Sequence, residues 1–180
     1  MCSDLHSGHF TCFYFSRSRY LNFALPPLIQ QRRNIEFANL YGRAGDNLIN
    51  ATEAANISTV IKGNNGSDTL MGSQMSDRIE GGNGNDLLYG GLGDDVLTGN
   101  GDADVFVLES DAGTDTIRDF RNGIDLFGLS VVDFSDLSIR NNSAGTATLI
   151  NNAANDNQLL AIINNVSAAD ITAADFIADF

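Results

Sequence analysis

The sequence predicts an all-β chain of short strands and glycine turns stacked on one another, and three observations predict it. A nonapeptide recurs without a break from Gly63 to Val107 as GNNGSDTLM, GSQMSDRIE, GGNGNDLLY, GGLGDDVLT and GNGDADVFV. Each copy ends in three residues led by strand formers, too few to stand alone, with an apolar side chain at the eighth place. Beyond the copies, strand-like runs at 137–140, 146–150 and 159–163 are separated by Asn-rich turns.

The first 39 residues differ from the rest. Residues 1 to 35 hold Arg17, Arg19, Arg32 and Arg33 against Asp4 alone, in a chain whose formal net charge is -13. Such a break in charge marks a boundary, and residues 1–39 are expected to be a poorly ordered N-terminal segment. Their Cys2, His6, His9 and Cys12 have metal-ligand chemistry, but the spacing matches no common zinc pattern. An incidental terminus is the preferred reading there. The apolar stretch from Leu21 to Ile29 is broken by Asn22 and the Pro26-Pro27 pair, so no N-terminal secretory signal is expected.

Residues 40–107 are expected to form the stacked array. YGRAGDNLI, from Tyr41 to Ile49, is a weaker copy. Aligned on Asp46 it falls four residues out of phase with Asp68, which suggests a first turn joined through a looser stretch, 50–62. In the five regular copies glycine holds the first place, and Asp68, Asp77, Asp86, Asp95 and Asp104 hold the sixth. Leu70, Ile79, Leu88, Leu97 and Phe106 hold the eighth. Because side chains alternate along a strand, places seven and nine face one way and place eight the other. Stacking then puts every eighth residue into one continuous core.

Residues 108–180 are expected to close the array as a β-rich cap. Asp115 and Asp125 keep the glycine, aspartate and apolar offsets in Gly113-x-Asp115-x-Ile117 and Gly123-x-Asp125-x-Phe127. Ser167 before Asp170, and Thr172 before Asp175, are cap signals for one or two short terminal helical turns.

The turns carry the chemistry. Between Gly63 and Val107 eight acidic residues face one basic residue, Arg78. Stacking such turns crowds like charges and calls for a counter-charge. A hard divalent cation fits, since calcium takes about six to eight oxygens in forgiving geometry and glycine turns expose backbone carbonyls beside the aspartates.

GGNGNDLLY and GGLGDDVLT resemble the GGxGxDxUx nonapeptide of RTX (repeats-in-toxin) proteins. The resemblance implies a parallel β-roll in which two nonapeptides make one turn and loops 18 residues apart share a calcium ion. It pairs Asp68 with Asp86, Asp86 with Asp104, and Asp77 with Asp95, giving about three well-specified sites. Asp115 and Asp125 extend the ladders by pairing with Asp95 and Asp104. The implied carbonyl ligands fall on Asn64, Gly66, Gly82, Gly84, Gly91 and Gly93, and on Gly81, Gly90 and Gly99 of the following loops. Ser73 and Met75 stand where the pattern has glycine, so the Asp77/Asp95 site is expected to be looser.

The segment DVFVLESDAGTDTIRDFRNGIDLFGL is similar to those that close RTX rolls, and Asp175-Phe176-Ile177 resembles the ending of type I secretion substrates. The resemblance implies a secreted, extracellular bacterial module, exported through type I machinery by an uncleaved C-terminal signal and folded by calcium outside the cell. It is not expected to be an enzyme: no HExxH or GxSxG occurs, and His6 and His9 are the only histidines. The C-terminal fragment of an RTX hydrolase and a calcium-rigidified surface or adhesive protein are the alternatives. The acidic balance argues against nucleic acid, and the lack of 18 consecutive apolar residues argues against membrane insertion. Thr69, Met71, Leu87, Tyr89, Val105 and Val107 make one outer face apolar. That face is expected to be covered, by residues 1–40 or by a protein partner seated on Leu87 and Tyr89.

Overall fold

Three-residue strands cannot bury both of their faces without neighbours, and the chain solves this by winding. The computed structural model describes residues 37–130, 132–178 and 180, with the backbone of Phe37 and of three short strands ahead of it. In chain order the strands are β1 (Cys2–Asp4), β2 (Phe10–Cys12), β3 (Tyr20–Asn22), β4 (Phe37–Tyr41), β5 (Leu48–Asn50) and β6 (Ser58–Asn65). Next come β7 (Thr69–Met71), β8 (Arg78–Asn83), β9 (Leu87–Tyr89), β10 (Val96–Asn100), β11 (Val105–Glu109), β12 (Asp115–Ile117) and β13 (Leu126–Ser130). A cap follows with β14 (Leu137–Asn141), β15 (Ala147–Asn152), β16 (Gln158–Asn164) and β17 (Phe176–Ile177).

From β4 to β13 successive strands alternate between two sheets, so five two-strand turns stack as a parallel β-roll. One sheet runs β1-β2-β4-β6-β8-β10-β12-β16-β15-β14 and the other β17-β13-β11-β9-β7-β5-β3. The parallel stacking thus continues through Asp115 and Asp125. The segment expected to close the roll forms its last turn, pairing Leu97 with Ile117 and Phe106 with Phe127.

Two apolar columns fill the interior. Leu40, Ile61, Ile79, Leu97, Ile117 and Ile163 face inward from one sheet in unbroken register. Ile49, Leu70, Leu88, Phe106, Phe127 and Phe176 do so from the other. All but Phe176 are fully buried. At about 1.5–3 kcal/mol for each buried aliphatic or aromatic side chain, these columns are the main favourable term in folding. Toward the cap the column turns aromatic: Phe120 stacks on Phe127 with ring centroids 4.2 Å apart, and Phe176 lies 5.1 Å from Phe127.

The array begins earlier than the glycine pattern suggests. Ala54 to Lys62 is a full unit, with Ile61 at the eighth place and fully buried Thr59 at the sixth. The weaker copy is also in register once Asn47, and not Asp46, is set at the sixth place: Ile49 pairs with Leu70. The apparent four-residue slip is a three-residue insertion at 51–53. The stretch 50–62 is therefore not a loose connection.

The cap strands fall where the strand-like runs lie, as an antiparallel meander of β14, β15 and β16. Of the one or two helical turns expected, one forms. Thr172 caps the 3-10 turn Ala173–Asp175 with a complete capping box, whereas Ser167 to Asp170 makes only a hydrogen-bonded turn. A second 3-10 turn, Phe134–Asp136, has no side-chain cap.

The apolar outer face is covered in part by the chain's own last residue. Phe180 lies 6.2 Å from Tyr89, ring to ring, and packs over Gly128, and the neighbouring Val107 is fully buried. Leu21 belongs to β3, whose backbone extends this sheet at its edge by pairing with β5. β1 and β2 set Cys2 opposite Cys12, while His6 and His9 lie outside the described residues. Among the described residues no helix is long and apolar enough to cross a membrane.

Candidate metal centre

Each loop must reverse the chain in six residues between sheets, which requires backbone that side chains resist. Gly82 at φ +127° and Gly84 at φ +111° supply it in the central unit. The aspartate at place six is the first residue after the turn, and its side chain reaches back toward the preceding turn. There its Oδ1 accepts the backbone N–H of the equivalent residue one turn away. Asp86 accepts from Asp68 at 2.8 Å, Asp104 from Asp86 at 3.0 Å, and Asp95 from Asp77 at 2.7 Å. The ladders go on through Asp115, which accepts from Asp95 at 3.2 Å, and Asp125, which accepts from Asp104 at 3.1 Å. All seven carboxylates are buried.

The second oxygen of each carboxylate sets the chemistry. Oδ2 of Asp68, of Asp86 and of Asp95 is buried with no donor in reach, a costly state for an anion. Each lies over the first glycine of its own unit, where an added Cβ would meet it: Gly63 beneath Asp68, Gly81 beneath Asp86, Gly90 beneath Asp95. The same spots receive further oxygens. The Gly81 carbonyl lies 2.6 Å from the place of a Cβ on Gly63, the Gly99 carbonyl 2.9 Å from that on Gly81, and Asp115 Oδ2 2.8 Å from that on Gly90. Glycine is required here because its missing side chain is the room these oxygens occupy.

Burial, with Asp86 and Asp46 nearby, pushes the Asp68 carboxyl up to about 7. Burial and the charge of Asp102 bring Asp86 to about 6. Burial, then Asp86 and Asp125, bring Asp104 to about 7 against the lowering effect of Arg121. Asp77 is raised by burial, Asp95 by burial and Asp115, and Asp115 by burial and Glu109. A stack of carboxylates that resist ionisation lacks a counter-charge.

The expected ligands divide into groups. Gly81, Gly90 and Gly99 bring their carbonyls to the aspartates, Gly90 by way of Gly72 beneath Asp77. The carbonyls of Asn64 and Gly66 stack against Gly82 and Gly84 of the next turn, and that of Gly93 against Gly113. Gly82 already accepts the Gly101 N–H at 2.8 Å, and Gly91 faces the Ser73 carbonyl. Asp77 differs from its neighbours. Its oxygens accept the Ser73 N–H and the Thr59 N–H, each at 2.5 Å, and the Ser73 hydroxyl at 3.0 Å. The serine that replaces glycine therefore closes this loop on itself.

Four participants carry no aspartate signal at place six of a glycine unit. Asn47 and Thr59 each occupy the sixth place one turn below Asp68 and Asp77 and donate their N–H to them. Asp119 accepts the N–H groups of Gly99 and Asn100. Arg121 bonds to Asp125 and Asp104. The repeated N–H geometry needs no particular side chain, so only the register of the eighth place pointed to the first two.

Among the described residues no three His, Cys, Asp or Glu side chains converge as a metal cluster. An ion here would draw on one or two carboxylates and on backbone carbonyls. That all-oxygen set, with orphaned carboxylate oxygens and cradles a Cβ would fill, fits a hard divalent cation and suits neither zinc nor copper.

Residues 60–74 and 71–106 match the RTX calcium-binding nonapeptide repeat, in four copies. This segment is an RTX calcium-binding repeat array. The RTX array contains the five regular aspartates from Asp68 to Asp104, and it marks this part of the roll as a calcium-binding repeat. The RTX match starts at Val60, inside the unit that Thr59 belongs to. No curated protein matches the chain. Among solved structures, it is similar to the solution structure of the AlgE6R3 subunit from the Azotobacter vinelandii mannuronan C5-epimerase. The identity is 23% over 83% of this chain and 82% of that chain, with a TM-score of 0.47.

Proposed function

We propose that the chain is a secreted calcium-binding β-roll whose folding is driven by calcium held between stacked loops. The observation that carries this is the set of buried Oδ2 atoms on Asp68, Asp86 and Asp95 with no donor. The pairs Asp68/Asp86, Asp86/Asp104 and Asp77/Asp95 hold the ions, and Asp95/Asp115 adds a further position. The ion supplies positive charge and joins loops one turn apart. The chain supplies the rest: the first glycine of each unit leaves room, the carboxylate points into it, and carbonyls from the next turn complete the shell. Ligands that bind only the folded form stabilise it, and the carboxylates repel one another where calcium is scarce. The roll is then only marginally stable until it meets extracellular calcium, which such modules bind at about 10⁻⁴–10⁻³ M. That behaviour suits export through type I machinery, with Asp175-Phe176-Ile177 in the C-terminal signal.

The test is far-UV circular dichroism of the full chain, titrated with calcium and then with magnesium. A cooperative gain of β signal with calcium alone is expected. A spectrum already β-rich in chelator, and unmoved by calcium, overturns the folding switch.

A further inference from the structure

The two ladders end differently, and at one end a guanidinium stands where the other loops leave carboxylate oxygens bare. Arg121 Nη2 lies 2.7 Å from Asp125 Oδ1 and 3.4 Å from Asp104 Oδ2, and it also donates to the Asp102 carbonyl. Its Nε reaches Asp125 Oδ2 at 3.1 Å, and its backbone N–H reaches the same oxygen at 2.7 Å. Those acceptors match in kind the oxygens beside the bare positions elsewhere: two carboxylates one turn apart, as Asp95 and Asp115 are beside Gly90, and a backbone carbonyl, as Gly81 and Gly99 offer beside Gly63 and Gly81. The orphaned Oδ2 atoms belong to Asp68, Asp86 and Asp95; those of Asp104 and Asp125 both have this arginine.

We infer that Arg121 is a built-in cation that takes the place of calcium between Asp104 and Asp125. This rests on the calcium reading above and refines it. The ladder of Asp68, Asp86 and Asp104 holds two ions and ends in a fixed positive charge, so its Asp104/Asp125 end is neutralised before any calcium binds. Arginine suits the task because it stays charged at every working pH and its planar fork matches a carboxylate at two points. The last turn also carries the aromatic stack of Phe120 on Phe127. The Asp125 strand of that turn therefore has both an aromatic core and its counter-charge without metal. The structure places the calcium-independent end of the roll there, and calcium orders the remaining loops upon it.

Hydrogen exchange on the full wild-type chain, in chelator and then in calcium, tests this without any substitution. The N–H groups of Asp104 and Arg121, both bonded to Asp125, are expected to be protected in chelator. Those of Asp68 and Asp86 are expected to gain protection only when calcium is added. Protection of Asp104 and Arg121 that appears only with calcium overturns the inference but leaves the calcium reading standing. Calcium that changes no amide at Asp68 or Asp86 sinks the calcium reading itself.

Calorimetric titration of Arg121→Gln gives the second readout. It is expected to bind one more calcium than the wild type, and Arg121→Lys to restore the wild-type count. In chelator, Arg121→Gln should lose about ten- to hundredfold of the protection at Asp104, the scale of a hydrogen bond to a charged group. An unchanged calcium count with unchanged protection overturns the inference. If Arg121→Gln does not fold, the wild-type exchange pattern still decides.

Discussion

Asn47 lies one turn below Asp68, and its backbone N–H reaches Asp68 Oδ1 at 2.7 Å. It holds the sixth place of its unit, so the ladder of Asp68, Asp86 and Asp104 begins on a neutral amide. Its Oδ1 in turn accepts the Arg43 N–H at 2.5 Å, closing its own loop. Asn47→Asp puts one more charge against a carboxylate already raised by its neighbours. In chelator the variant should be less stable by about 1–4 kcal/mol, the range for unit charges about 4 Å apart near a protein surface. In millimolar calcium the loss should shrink or reverse. Thermal unfolding in the two buffers checks this, and an equal loss in both would show that no ion reaches the loop.

Asp86 serves two neighbours, since it accepts from Asp68 and donates to Asp104. Asp86→Asn should therefore weaken two calcium positions together. At calcium about 100-fold above Kd each ion contributes about 2.7 kcal/mol, so the variant should lose up to about 5 kcal/mol of calcium-induced stability. Asp77→Asn should lose less, because Ser73 and Thr59 already satisfy the Asp77 oxygens. Denaturant midpoints at one fixed calcium concentration rank the two, and the reverse order would contradict the loop-closure argument.

Gly81 is needed for the space beneath Asp86. Gly81→Ala would press a methyl group against the Asp86 carboxylate. Overpacking of this kind costs about 1–3 kcal/mol, and the displaced carboxylate should also bind calcium less tightly. Gly45→Ala is the comparison. Its φ of +89° disfavours a side chain, but nothing lies within 4 Å of the added atom. It should cost about 1 kcal/mol and leave calcium binding unchanged. Calorimetric titration of both variants separates crowding of the site from strain in the turn.

The carboxyl shifts set a pH dependence with a definite sign. Asp68 and Asp104 titrate near 7 and Asp86 near 6 in the folded chain, each well above the ordinary value of 3.8. Between those limits the calcium-free folded form binds more protons than the unfolded chain, so its stability falls as pH rises. That contribution is complete below about pH 4 and lost as pH passes through 6 to 7. Urea denaturation in chelator should give a higher midpoint at pH 5 than at pH 8. With calcium the trend should invert, because protons and the ion compete for the same oxygens.

Much of this was legible in nine-residue spacing. Glycine at the first place, aspartate at the sixth and an apolar residue at the eighth gave the strand register and the carboxylate ladders from Asp68 to Asp104. What spacing did not reveal follows from how little the fold asks of some positions. Thr59 fills a sixth place in AANISTVIK, a unit with neither glycine nor aspartate, because its N–H and the buried Ile61 are enough. Asn47 was masked by the adjacent Asp46, which matched the motif but points to the Ser67 N–H. Phe180 acts on Tyr89 and Gly128, and Arg121 on Asp102 and Asp104, through tertiary contacts that no local period encodes.

The change from parallel to antiparallel pairing at β16 also limits how far the molecule can grow. A roll of identical turns offers each end as a template for another copy, and fibres form that way. Here the sheet beyond β12 runs through β16 and β15 to β14, so its outermost edge belongs to an antiparallel hairpin carrying Arg140 and Asn141. The next strand of a further parallel turn would have to pair with β14, whose residues carry Arg140 at the edge. The meander thus replaces, at this end of the sheet, the parallel edge on which another turn would stack.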